Sequence, residues 1–568
     1  MELFTFPPAP DPKMPEWPGT PIGARNIITR TRTRTAVQDK SVDRVEGRRD
    51  ELVAAAVEHI VRQAGKEPLA LHDVVIHGVR VRAITNSAHL AEFWVANWYS
   101  PDEWRAITGL TPPARPQVTV YALGGVADQQ EAAYYSRLTS TIVFFNTSYY
   151  GQLKSWVLGA VGRVLAEEWG IHSIHGACVE KGGRGVLYIA PTGTGKSTSS
   201  YGLQATYPDT RFHSDDWVYV RYTYATRDGR RIAPLEVTPV HGGPVRGARV
   251  FRWLDEHRGA AGQVRGLDLG SAETTVPLTA LDLNQPVEAY AYTSEKIFYL
   301  RTNLVESFPV AGHEIMRSSL ENVPDVGDEF LRVYGTKLDG LVADVLDSAR
   351  HSDAYAKAAE DFFRGMPRDQ VRGSLARLIA FDNARAMLDT TKLLPADRVV
   401  TNPMEPVPLS TVILLKRDPR DRIVLEALPL AKFMGRLLIG ETPDRKREIA
   451  YNAYRAVDDE VERAFLDRLE EEVGQAGGAP EALYDAFLRH AAVPETLAQE
   501  FELFRILHQA CRCYDLNTIL ATDPTVSGLK EAVARTMELI AYALSRRHGP
   551  VRLALDGYRN VLTSAPAS

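Results

Sequence analysis

Residues 171–219 read IHSIHGACVEKGGRGVLYIAPTGTGKSTSSYGLQATYPDTRFHSDDWVY, and this stretch decides how the rest of the chain is read. Gly185 to Ala190 is a short apolar run with the length and β-branched content of a buried strand. Pro191-Thr192-Gly193-Thr194-Gly195-Lys196-Ser197 follows, and a helix is expected from Thr198 towards Ala205. A strand, a glycine loop and a helix in that order form a phosphate-cradling P-loop. Glycines let backbone N–H groups turn inward and approach phosphate oxygens closely, and the helix N-terminus adds partial positive charge. Thr192, Gly193, Thr194, Gly195, Lys196, Ser197 and Thr198 are therefore the expected ATP contacts. Lys196 is suited to reach the β- and γ-phosphates, and the Ser197 hydroxyl to ligate Mg²⁺. The full pattern opens with Gly, and here that position is Ala190.

The flanks add to this. Asp215-Asp216 stands before a second apolar run, Trp217-Val218-Tyr219-Val220. A carboxylate pair at a strand end near such a loop is the expected place for divalent metal ligands. Upstream, His172 and His175 lie just before the central strand, and His175 is the histidine expected to serve the site.

The P-loop, the paired Asp and the upstream His175-Gly176 resemble the superfamily that joins phosphoenolpyruvate carboxykinases and HPr kinases. By that resemblance His175 and Asp216 fall on the family's metal-binding residues, and Asp215 on the neighbouring Asp. Further echoes run along the chain in order. Arg34, with Asp39-Lys40, falls in the register of the segment whose Arg binds the carboxylate substrate in ATP-dependent carboxykinases. A planar guanidinium suits that task. Asn146 to Ser155 resembles T-x-Y-x-G-E-I-K-K. The first Lys is Lys154; the second, a metal ligand in the family, is Ser155. Asn303 to Pro309 resembles N-T-R-x-S-Y-P, with Val305 in place of the Arg that contacts substrate and phosphate. Leu428 to Gly435, Gly440-Glu441-Thr442, Leu516-Asn517-Thr518 and Ser527-Gly528-Leu529-Lys530 echo later motifs. The last of these, ending at Lys530, echoes the G-V-G-K stretch that contacts adenine and ribose, and Glu531 falls on the Arg after it. HPr kinases match the central fifty residues equally well but not the outer echoes.

At 568 residues the chain is too long for one core. Its hydrophobic content is 45% and its charged content 24%, the balance of a globular protein. The net charge of −6 carries no basic footprint for nucleic acid, and no apolar run has the length of a membrane span. The N-terminus lacks a signal pattern. Three cysteines argue for a reducing cytoplasm rather than a disulfide framework.

The expected fold is α/β with mixed sheets: a two-lobed carboxykinase-like fold with a P-loop and a helical insertion. Residues 1–25 read as a disordered Pro-rich tail and 26–170 as an N-terminal carboxykinase-like domain. Residues 171–324 read as the nucleotide- and metal-binding domain, 325–395 as the helical insertion, and 396–568 as the rest of the nucleotide-binding domain. The expected elements include helices from Asp50 to Gly65, Leu158 to Glu168 and Leu529 to Ser545. Strand alternation is read over Val74 to Ile84, Gln117 to Tyr121 and Thr411 to Leu415. The resemblance implies an ATP-dependent phosphotransferase using Mg²⁺ or Mn²⁺, with a small-molecule or protein oxygen acceptor. Lys196, His175, Asp216 and Arg34 would act catalytically; Ser197, His175, Asp215 and Asp216 would hold metal. The alternatives are a divergent carboxykinase converting oxaloacetate and ATP to phosphoenolpyruvate, CO₂ and ADP, and a non-catalytic ATP-binding regulator.

Overall fold

The structure is a computed structural model. It describes residues 22–23, 38–66, 69–130, 132–146, 150–190, 194–294, 296, 298–301, 316, 320, 326, 328–346, 361–380, 385–388, 394–439, 459–475, 479–545 and 550–564. Two large mixed sheets with covering helices make an α/β fold.

The smaller sheet has six strands in the order 38–41, 132–136, 141–145, 118–123, 79–85, 70–76. The alternation over Val74 to Ile84 belongs to a hairpin and not to one strand. Ala70–Ile76 pairs antiparallel with Val79–Thr85, and the chain reverses at His77 and Gly78, both at positive φ. Val118–Leu123 and Thr141–Phe145 pair in parallel at the centre. Val120, Ile142 and Phe144 there are fully buried, as befits strands covered on both faces.

The larger sheet holds thirteen strands. Its central ones are β1 (His172–Lys181), β2 (Arg184–Ile189), β3 (Trp217–Ala225), β4 (Glu288–Tyr292), β5 (Val407–Lys416) and β6 (Arg512–Asn517). They lie side by side as β3-β1-β2-β5-β6, with β4 pairing to β3 and β5. β2, β5 and β6 are mutually parallel, so their carboxyl ends open on one edge, where ligands bind in open α/β sheets. β1 runs antiparallel to both β2 and β3. Five helices frame this region: α1 (Tyr150–Trp169), α2 (Lys196–Thr206), α3 (Asp459–Gln475), α4 (Glu495–Ala510) and α5 (Leu529–Ser545). α1 starts eight residues before the expected Leu158, and α5 has the expected bounds.

The two sheets share a core. Trp217 and Tyr219 of β3 and Tyr292 of β4 lie in one apolar cluster with Trp94, Phe144 and Trp156 of the N-terminal region. Each ring buries an area of roughly 150–250 Å², so the smaller lobe is fixed against the face of the sheet that carries the site.

Residues 325–395, expected to be helical, contain the helices Asp328–Leu346 and Arg368–Ala380. They also contain a strand, Arg385–Leu388, paired with Phe298–Arg301 and with Ile22–Gly23. Four residues are too few for alternation to stand out from helical spacing. The same pairing places Ile22–Gly23, inside the tail expected to be disordered, in a sheet; residues 1–21 lie outside the described residues. No helix among the described residues is long and apolar enough to cross a membrane.

Candidate functional site

The site stands where β1, β2 and β3 deliver their side chains to one edge. Antiparallel pairing sets His175 of β1 opposite Trp217, the first residue of β3, so Asp216 arrives beside the imidazole. The glycine after His175 has a steric reason. A Cβ on Gly176 would fall 2.7 Å from the Tyr188 carbonyl oxygen, and its N–H donates to the Asp216 carbonyl at 3.0 Å. A larger residue there would push β1 from β2 and displace Asp216.

Lys196 opens α2. Gly195 before it has φ +103°, a left-handed conformation that glycine adopts without strain. From the first turn of that helix the ammonium reaches back to the His–Asp pair. Lys196 Nζ lies 3.0 Å from His175 Nε2 and 3.1 Å from Asp216 Oδ1. His175 Nε2 and Asp216 Oδ1 are 3.1 Å apart. Lys154 of α1 approaches the other carboxylate oxygen, Asp216 Oδ2, at 3.4 Å. Trp217 walls this cluster: its ring centroid is 5.4 Å from that of His175, and its indole N–H donates to Ser173 Oγ at 2.6 Å.

The triangle imposes a choice on one nitrogen. His175 Nε2 either donates to Asp216 or accepts from Lys196, because an imidazole nitrogen carries a proton or a lone pair. Burial works to raise the Asp216 pKa, but Lys196, Lys154 and the hydrogen bond with His175 outweigh it and hold the carboxyl well below the usual carboxylate range. Two ammonium groups thus share one carboxylate whose side chain is 41% exposed, while those of Lys154 and Lys196 are 7% and 11% exposed.

The paired aspartates part company. Asp215 is 5% exposed and accepts from the Tyr201 hydroxyl at 3.2 Å, on the helix turn after Ser197. Among the described residues no three His, Cys, Asp or Glu side chains gather as a metal-holding group. Ser155, at the position of the family's second Lys, donates its hydroxyl to the Gly151 carbonyl at 2.7 Å, one turn back in α1.

Across β2, the Thr518 hydroxyl after β6 lies 3.1 Å from the carbonyl of Thr194, tying the β6 end to the glycine loop. Ser197 and Thr198 are half-buried in the first turn of α2. Lys530 is in the first turn of α5, and its side chain lies outside the described residues. The next residue, Glu531, accepts from the Ser527 N–H and hydroxyl at 2.8 and 2.9 Å, so it closes its own helix. Arg34, Thr192, Gly193, Val305 and Gly440-Glu441-Thr442 also lie outside the described residues.

The structure therefore brings together Lys196, His175 and Asp216, and it places the Asp215 carboxylate against the Tyr201 hydroxyl. It adds Lys154, Tyr201 and Thr518. Lys154 was legible in the segment preceding the central strand, and Tyr201 stands four residues after Ser197, one helical turn away. Neither the protein-family models nor the curated proteins compared with the chain match it.

Proposed function

We propose that the protein is an ATP-dependent phosphotransferase of the carboxykinase and HPr kinase type, moving the γ-phosphoryl group of ATP to an oxygen of an acceptor. The observation that carries this reading is the convergence of Lys196, Lys154 and His175 on Asp216. It lies at the mouth of a strand–glycine loop–helix unit with the spacing of a P-loop. Two ammonium groups with one carboxylate between them leave positive charge facing an edge where phosphate would sit. On phosphate binding Lys196 turns from Asp216 to the β- and γ-oxygens, where it neutralises charge as the group transfers. Asp216, relieved of one lysine, is free to position the acceptor oxygen or take its proton, and His175 Nε2 is within reach to relay it.

Mg²⁺ or Mn²⁺, as the resemblance implies, fits part of this donor set. His175 Nε2 and Asp216 Oδ1 offer a nitrogen and an oxygen that converge on one cation, Lys196 Nζ, and Ser197 opens the neighbouring helix. Such an ion would neutralise phosphate charge when bound. Ser155 turns its hydroxyl proton to the Gly151 carbonyl of its own helix.

A second reading, a divergent phosphoenolpyruvate carboxykinase, is favoured by Lys154, the retained lysine of that family's pair, in contact with Asp216. A coupled ADP-release assay with Mg²⁺ and Mn²⁺, with and without oxaloacetate and beside Lys196→Ala, separates the two. Oxaloacetate-dependent turnover yielding phosphoenolpyruvate selects the carboxykinase. Lys196-dependent turnover indifferent to oxaloacetate and stimulated by cell extract selects another acceptor. Absence of ATP binding refutes both.

A further inference from the structure

The two flanks of β2 are loaded differently. On the β1 side the charges are paired with one another. On the β5 side stands Arg417, one residue beyond β5. Lys416 pairs in register with Asn517, so Arg417 is level with Thr518 and faces the edge where the loop after β2 begins. Its Nε donates to Thr518 Oγ1 at 3.4 Å, and that hydroxyl is 3.1 Å from the Thr194 carbonyl. Thr518 thus links the guanidinium to the backbone of the glycine loop.

Neighbouring cations are already occupied. Lys416 Nζ lies 2.7 Å from both Asp421 and Asp515. Arg420 pairs with Asp418 at 3.3 Å, and Arg422 pairs with Asp556. Arg417 is exposed and makes no ion pair with any described residue. Its fixed Nε leaves the two terminal nitrogens of the fork free to meet an anion, and a planar guanidinium meets phosphate through two parallel hydrogen bonds.

We propose that Arg417 is a nucleotide-binding residue. It pairs with the phosphate chain of ATP or ADP from the β5–β6 side of the loop, opposite the His175–Asp216 side where transfer takes place. This rests on the reading of the site as a nucleotide site. It assigns a cation to a position at which the resemblance supplies none, and it makes Thr518 the positioning residue that aims it.

Isothermal titration of the full chain with Mg-ATP, Mg-ADP and adenosine tests this, using the wild type, Arg417→Ala, Arg417→Lys, Arg417→Gln and Lys196→Ala. Arg417→Ala is expected to weaken ATP and ADP about tenfold, the scale of a lost charge-assisted pair, and to leave adenosine unaffected. Arg417→Lys should retain part of the affinity, and the melting temperature without nucleotide should not change. Arg417→Gln, closer in shape, gives the same readout if the alanine variant does not fold. ATP affinity within about twofold of wild type in the Ala or Gln variant, with binding lost in Lys196→Ala, overturns the inference and spares the nucleotide reading. An equal loss for adenosine overturns the phosphate contact. A wild-type chain that binds neither ATP nor ADP overturns both.

Discussion

Two groups of charged side chains in this protein differ in kind. Where α1 crosses α3, Arg163 meets Glu462 at 3.1 Å, with side chains 8% and 1% exposed. The Thr496 hydroxyl of α4 also donates to Glu462. Both side chains are closed to solvent. At the β1–β3 edge, Lys154 and Lys196 divide Asp216 between them, and that carboxylate is 41% exposed. The first arrangement is sealed and ties three helices together. The second is open, with two ammonium groups beside one partly exposed carboxylate, and in the proposed reading those lysines meet an anion that arrives from outside. Access, more than the presence of charge, separates the two arrangements.

The largest effect expected from this contrast is on turnover. Lys196→Ala should lower ATP consumption by about 10³-fold, the scale of losing one preorganised charge stabiliser, as read in the ADP-release assay. A loss under tenfold would remove Lys196 from the chemistry.

Stability should show the opposite ranking. Glu462→Gln leaves Arg163 buried without its counter-charge and should lower the unfolding free energy by about 3–5 kcal/mol. Lys196→Ala leaves a carboxylate that is 41% exposed and still beside Lys154, so it should cost less, about 1 kcal/mol. Urea denaturation measures both, and equal losses would erase the distinction drawn above.

The Asp216 titration is a finer test. Its pKa is depressed in the folded state, so its contribution to stability is fully present above the unfolded value of about 3.9 and is lost only as pH falls through the lower folded value. Carboxyl-carbon NMR should find Asp216 still ionised below the midpoints of exposed aspartates. In Lys196→Ala that midpoint should move upward. An unmoved midpoint would mean that Lys196 does not govern the pair.

The smallest effect belongs to Ser155. Replacing it with Ala removes only a hydroxyl bonded to its own helix, so ATP turnover should hold and stability should shift by less than about 1 kcal/mol. A marked loss of Mn²⁺ affinity would make Ser155 a metal ligand.

Much of the site was legible because it is local. Gly185 to Ala190 has the apolar run of a buried strand, and Lys196 follows it at a fixed spacing. His175 and Asp216 flank that unit closely enough for antiparallel pairing to bring them together. The parting of Asp215 from Asp216 was not legible, because it depends on where Tyr201 of α2 lands, a matter of packing. Nor was the neighbourhood of Arg417 and Thr518. The two are remote in sequence and meet only because β5 and β6 pair in parallel. The hairpin at His77-Gly78 was hidden because apolar residues continue on both sides of a two-residue reversal, although the pairing of Ile76 with Val79 shifts the alternation by one position. The strand Arg385–Leu388 was hidden because its partners lie near the chain start and before the insertion.

The placement of β2 also sets a timetable for synthesis. Its first neighbour, β1, is made just before it, but its second, β5, comes more than two hundred positions later, and β6 later still. At ribosomal rates of ~5–20 residues per second, the glycine-loop strand waits on the order of 10–40 s with an open edge. A parallel pairing across so long a separation closes slowly. Meanwhile the six-stranded sheet, complete by residue 145, has all its partners at hand. The six-stranded sheet therefore completes its strand pairing first. A nascent chain stalled before residue 407 presents an unpaired apolar strand edge, the kind of surface on which chaperones act and chains aggregate.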